Sequence, residues 1–178
     1  MSSNKRSPAL RVAFTGITAA LAIAMSFLES LLPPMPFLPP GAKPGFANIA
    51  VMFAILALSW TDGVFVMLVK SGFVFLTRGA AAFFMSISGG VLSITVTVLM
   101  IFLMKKLGKS FSYIGISVFG AVFHNIGQLI AAGLYTGTVA VVGYLPMLLI
   151  FGVCAGAVTG VILRVVMPRL MKLTDKIK

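Results

Sequence analysis

Long apolar runs alternate along the chain with short breaks of proline, glycine and charged residues, at about 9–32, 45–60, 62–80, 81–104, 112–135 and 143–167. Each comes close to the roughly 20 residues a helix needs to cross the hydrocarbon layer. The pattern predicts an all-α integral membrane protein with six transmembrane helices. The second and third runs are parted only by Ser59-Trp60-Thr61-Asp62-Gly63. Strands of a membrane β-barrel would alternate polar and apolar residues over segments of about 10. Unbroken stretches such as "VMFAILALSW" and "GVLSITVTVLMIFLM" argue against that. The first run is too long for a cleavable signal, and Glu29 and Pro33-Pro34 stand where small residues would mark the cut. The predicted organisation is a tail at 1–8, a six-helix domain at 9–167 and a basic tail at 168–178.

Composition agrees with this pattern. With 60% hydrophobic and 10% charged residues over 178 positions and a mean hydropathy of +1.12, the chain has more apolar surface than a water-soluble domain of its size buries. The formal charge of +11 could suggest nucleic acid, but the cations are distributed as in a membrane protein. Lys5, Arg6 and Arg11 precede the first run; Lys105, Lys106 and Lys109 divide the fourth from the fifth; Arg164, Arg169, Lys172, Lys176 and Lys178 follow the sixth. Six crossings put all three clusters on one side. That side is expected to be cytoplasmic, with both termini, and no nucleic-acid partner is expected. The single Cys154 excludes a disulfide framework and is expected as a small buried packing residue.

Three cations do not follow this distribution. Lys43 falls in the first outer loop, Arg78 in or beside the second, and Lys70 inside the third run, where insertion of a lysine costs on the order of 2.5–3.5 kcal/mol. Lys70 either pairs with Glu29 near the end of the first run or helps to form an outward-facing pocket for an anion; the two are compatible. In "AVFHNIGQLIAAGL", His124, Asn125 and Gln128 share an arc of about 100° on one helical face. They need partners in neighbouring helices, water or a ligand, because unsatisfied polar groups are costly in lipid. One histidine without nearby carboxylates is a poor metal site. Asn48 stands at the head of the second run, where it could bond a substrate or cap the helix. Small residues recur every four positions, at Gly16, Ala20 and Ala24, preceded by Ala9 and Ala13, and again at Gly152, Gly156 and Gly160. Such faces permit close helix packing, within the bundle or against a partner.

Other chemistry is missing from the chain. There is no GxxxxGK[ST] phosphate loop for ATP. The three acids, Glu29, Asp62 and Asp175, are too few and too scattered to hold magnesium on a diphosphate. No catalytic arrangement follows from spacing and no cofactor is expected, so the chain reads as a non-enzyme.

"GAKPGFANI" and "FHNIGQ", with six short spans and a proline-rich outer loop, resemble the Gx transporter family, also labelled heptaprenyl diphosphate synthase component I. That family is similar to the substrate-binding S component of energy-coupling factor (ECF) transporters. The likeness covers roughly residues 9–165 and departs at Pro44, where an apolar residue such as leucine is usual. It implies an S-component-like bundle in a prokaryotic plasma membrane, for uptake of a vitamin-like molecule bound near the outer face. It also implies a membrane coupling subunit and two ATPase subunits as partners, with Gly16, Ala20 and Ala24 as the docking face. Candidate substrate contacts are Glu29, Lys43, Asn48, Lys70, Arg78, His124, Asn125 and Gln128. A flavin nucleotide is the expected cargo by analogy, its phosphate suiting the three cations. A non-catalytic accessory subunit of a prenyl diphosphate synthase or membrane redox complex is the competing role.

Overall fold

The computed structural model describes residues 8–33, 35–36, 38–39, 42–108 and 112–176, with Pro8 and 170–176 as backbone only. Lys5, Arg6, Pro34, Pro40, Gly41, Lys109 and Lys178 lie outside the described residues. Among the described residues five helices follow one another: α1 (Pro8–Ser30), α2 (Asn48–Ala57), α3 (Trp60–Lys106), α4 (Tyr113–Thr136) and α5 (Leu145–Lys176), with a 3-10 turn at Val139–Tyr144 leading into α5. Among the described residues four helical stretches are long and apolar enough to cross a membrane: Ala9–Ser30, Trp60–Lys106, Tyr113–Thr136 and Val139–Arg169.

α3 is two helices in one. A straight helix would hold Ser71 and Ser86 about 22 Å apart, yet their hydroxyls are hydrogen-bonded at 2.9 Å. The Phe75 and Phe83 rings meet edge to face with centroids 5.4 Å apart. The chain reverses at Gly79, whose φ of 81° and ψ of −177° belong to a region nearly restricted to glycine. Limbs 60–78 and 80–106 therefore run antiparallel, matching the third and fourth predicted runs.

α4 and α5 form a second antiparallel pair. A Cβ added to Gly152, Gly156 or Gly160 would meet the backbone of Val122, Val118 or Ile114 in turn, one α4 residue for each turn of α5. The four-spaced glycines thus serve internal packing. α5 continues through Pro168 to Lys176, so backbone predicted as tail is helical there.

α2 departs from prediction. It has 10 residues, about 15 Å of helix, because Phe46 and Ala47 form a turn before it and Leu58 leaves helical geometry after it. Ser59 then caps α3 by accepting from the Asp62 amide.

Polar side chains are buried among an apolar core, while many large apolar side chains are exposed. Thr15, Ser26, Lys70, Ser93, Thr97 and Asn125 are buried, whereas Ile17, Phe27, Leu76, Leu134 and Val139 are exposed. Large apolar side chains exposed on this scale, with polar groups buried, are unlike a water-soluble domain and suit a multi-pass membrane protein. Cys154 faces outward, contrary to its predicted burial. It sits between Gly152 and Gly156, and the roughly 100° turn per residue carries it off the face that packs on α4.

Candidate functional site

At the Glu29 end of the bundle, α1, the segment before α2, both limbs of α3 and α4 converge on one cavity. Helical periodicity selects the contributors. α1 supplies Ser26 and Glu29, three residues apart; the first limb of α3 supplies Lys70, Val74 and Arg78 at four-residue intervals; the second limb supplies Ala82, Met85 and Ser86; and α4 supplies His124 and Gln128. Lys43 and Gly45 enter from the segment preceding α2.

That segment is stitched over the cavity. Lys43 Nζ donates to the Leu32 carbonyl at the end of α1, at 2.6 Å. The Ala47 amide donates to Glu29 Oε1 at 3.3 Å, and Gln128 Nε2 donates to the Lys43 carbonyl at 3.4 Å. Gly45 holds a φ of 86°, and a Cβ there would lie 3.2 Å from the His124 ring. The backbone conformation thus favours glycine, and a Cβ would also press on the imidazole beside it.

Three cations, Lys43, Lys70 and Arg78, share this cavity with one carboxylate, Glu29. Lys70 is 4% exposed and Glu29 6%. Glu29 lies within electrostatic reach of both Lys70 and Arg78. The cavity measures about 20 Å³, room for roughly one water, whereas small-molecule sites occupy roughly 300–1,000 Å³. A ligand larger than water would need more room than this, and it would meet three cations against one carboxylate.

Six of the eight predicted contacts line the cavity: Glu29, Lys43, Lys70, Arg78, His124 and Gln128. Asn48 and Asn125 do not. Asn48 neither caps α2, which begins after Ala47 without a side-chain cap, nor reaches the cavity; its Nδ2 donates to Ser93 Oγ at 3.1 Å. Asn125 donates to the Leu148 carbonyl of α5 at 2.7 Å. The predicted polar arc is therefore divided, because residues i and i+4 align on a helix while i+1 is turned by about 100°.

The opposite end carries a group that sequence reading left unassigned. Arg11 Nη2 and Asp62 Oδ2 form an ion pair at 2.8 Å. Arg11 also donates to Ser59 Oγ at 2.8 Å and Thr61 Oγ1 at 3.0 Å, and Thr15 Oγ1 donates to Asp62 Oδ1 at 2.9 Å. The cluster ties α1 to the start of α3. The Ser-x-x-Asp spacing at Ser59 and Asp62, ahead of an apolar run, is a capping signature that could have marked the α3 start. Nothing in the sequence pointed to Arg11 as the partner.

Gly16, Ala20 and Ala24 lie on the exposed side of α1, as do Ala9 and Ala13. A Cβ added at Gly16 meets nothing within 4 Å. Among the described residues, no group of three or more His, Cys, Asp or Glu side chains comes together.

Residues 18–166 match the heptaprenyl diphosphate synthase component I family. The fold is similar to a solved structure, the S component of a bacterial ECF transporter, with a TM-score of 0.62 and 21% identity over 94% of this chain and 98% of that one. No curated protein matches significantly.

Proposed function

The chain belongs to the heptaprenyl diphosphate synthase component I family, and from that premise we propose that it is the substrate-binding membrane subunit of an ECF-type transporter. It captures a small anionic or phosphate-bearing, vitamin-like molecule, with a flavin nucleotide the leading candidate. The observation that carries this reading is the convergence of Lys43, Lys70 and Arg78 with a single carboxylate in one cavity. Ionisable side chains within a membrane bundle are expensive and, by default, mark a substrate or ion path. The likeness in fold to an ECF S component supports the same role.

In this reading six segments cross the plasma membrane of a prokaryote: α1, α2, the two limbs of α3, α4 and α5. Residues 42–47 extend the short α2; Ala42, Pro44 and Ala47 are buried, and non-helical backbone is tolerated at membrane depth where protein covers it. Arg11, Lys105, Lys106 and Arg164 share one end of the bundle, which the positive-inside rule makes cytoplasmic. The cavity then opens outward. The exposed Gly16, Ala20 and Ala24 face docks on a membrane coupling subunit driven by two ATPase subunits, since small residues allow close helix approach. The chain itself performs no chemistry.

The family's description favours a second reading, a non-catalytic accessory subunit of a prenyl diphosphate synthase. Co-purification separates the two. Coupling ATPases retained with the tagged chain support transport; a soluble synthase retained without ATPases supports the second reading. In parallel, thermal-shift measurements with flavin mononucleotide and isoprenoid diphosphates test the site. Absence of binding by every probe, together with uptake unaffected by Lys70→Ala, would sink the pocket assignment.

A further inference from the structure

A second concavity lies on the outer surface of α3, toward the Arg11 end. Trp60 and Val64 from the first limb and Val91, Thr95, Leu99 and Phe102 from the second form much of its wall, around about 530 Å³. That volume is within the roughly 300–1,000 Å³ of small-molecule sites. The Thr95 hydroxyl is bonded to the Val91 carbonyl at 2.8 Å, so its donor is satisfied within the helix. Trp60 and Phe102 are 59% and 61% exposed. The wall is therefore apolar and faces the hydrocarbon.

What covers this groove is indicated by the charge at its end. Lys105 and Lys106 stand three and four residues beyond Phe102, on the continuation of the same helical face. Both are exposed. Among the described side chains the acid at this end, Asp62, is held by Arg11, Ser59 and Thr15, so it does not answer the lysines. An apolar trough ending in two ammonium groups at membrane-interface depth is complementary to one kind of molecule: an acyl chain joined to an anionic headgroup. Basic pockets between transmembrane helices on the cytoplasmic side hold such headgroups elsewhere.

We propose that the groove between the limbs of α3 binds an anionic phospholipid of the surrounding leaflet, its acyl chain along Trp60, Thr95 and Phe102 and its phosphate at Lys105 and Lys106. The site is separate from the cationic cavity, and it stands whether or not the chain serves a transporter.

Trp60 is the single tryptophan, so its fluorescence reports occupancy directly. The full chain is reconstituted in phosphatidylcholine vesicles containing a minor fraction of acyl-brominated phosphatidylglycerol or, separately, acyl-brominated phosphatidylcholine. The brominated anionic lipid is expected to quench Trp60 with an apparent preference of about fivefold for each lysine engaged. K105Q/K106Q should abolish the preference and K105R/K106R should keep it. Thr95→Phe, which fills the trough and leaves the lysines in place, should also abolish it, with far-UV circular dichroism confirming an intact helical fold. Equal quenching by the two lipids overturns the proposal, as does a preference that persists in K105Q/K106Q. Protection of Trp60 from both lipids also overturns it, because a protein then occupies the groove.

Discussion

Lys70→Met separates a ligand site from a structural ion pair by the sign of its effect on stability. Methionine keeps the length and unbranched shape of the lysine stem but removes its charge. Lys70 is 4% exposed, in a cavity where three cations face one carboxylate. If that surplus exists to receive an anion, the ligand-free protein should be no less stable without it. Replacing a whole buried ion pair by apolar groups of similar volume is often neutral or stabilising by about 1–4 kcal/mol, and removing a cation that has no carboxylate to neutralise should likewise cost nothing. Binding should move the other way. Losing one hydrogen bond to a charged group costs about 1.5–3 kcal/mol, a rise in Kd of roughly 10- to 150-fold. If instead Lys70 chiefly neutralises Glu29, removing one partner of a buried pair costs about 3–5 kcal/mol. At roughly 2–4 °C per kcal/mol for a chain of this size, Tm would then fall by on the order of 10 °C. Thermal unfolding in nanodiscs, followed by circular dichroism, gives the first quantity, and calorimetric titration with flavin mononucleotide or pyrophosphate the second. The ligand-site argument is refuted if Lys70→Met loses that much stability, adding Glu29→Gln restores it, and affinity for each probe stays unchanged.

Gly156→Leu should destabilise by about 3 kcal/mol or more, because its Cβ would meet Val118 Cα at 2.5 Å and the Ser117 carbonyl oxygen at 2.8 Å; thermal unfolding checks this, with Gly16→Leu, where a Cβ meets nothing within 4 Å, near wild type. Gly79→Ala should cost about 1–3 kcal/mol through backbone strain, since no atom crowds that position; a Tm equal to wild type would contradict the assigned turn. Ala20→Trp should abolish uptake in cells and co-purification of the coupling subunit while leaving probe affinity within about twofold, as expected of an exposed docking face; loss of affinity and coupling together would remove α1 from that role.

The register of the helices was legible in the chain because it depends on local quantities. α1, both limbs of α3, α4 and the start of α5 begin and end within a few residues of the predicted runs. α2 is the exception: the run from 45 to 60 is apolar but for Asn48 and Ser59, yet its first residues are taken up by the turn at Phe46 and Ala47. Hydropathy records preference for lipid and cannot distinguish helix from buried turn.

Lys43, Lys70 and Arg78 were also legible as anomalies, because a cation in or beyond the bilayer on the side opposite the basic clusters carries a cost that position alone reveals. Only the tertiary structure decided that they share a cavity with Glu29 and Gln128. The hydrogen bond from Gln128 to the Lys43 carbonyl spans 85 positions of sequence. The same holds for the division of His124 and Gln128 from Asn125, for the Arg11 clamp on Asp62, and for the trough between the limbs of α3. Each depends on which helical faces meet. Bilayer thickness and helical pitch determine how many segments cross and where they turn, but pairing between helices follows from side-chain fit across the whole bundle, which no local stretch encodes.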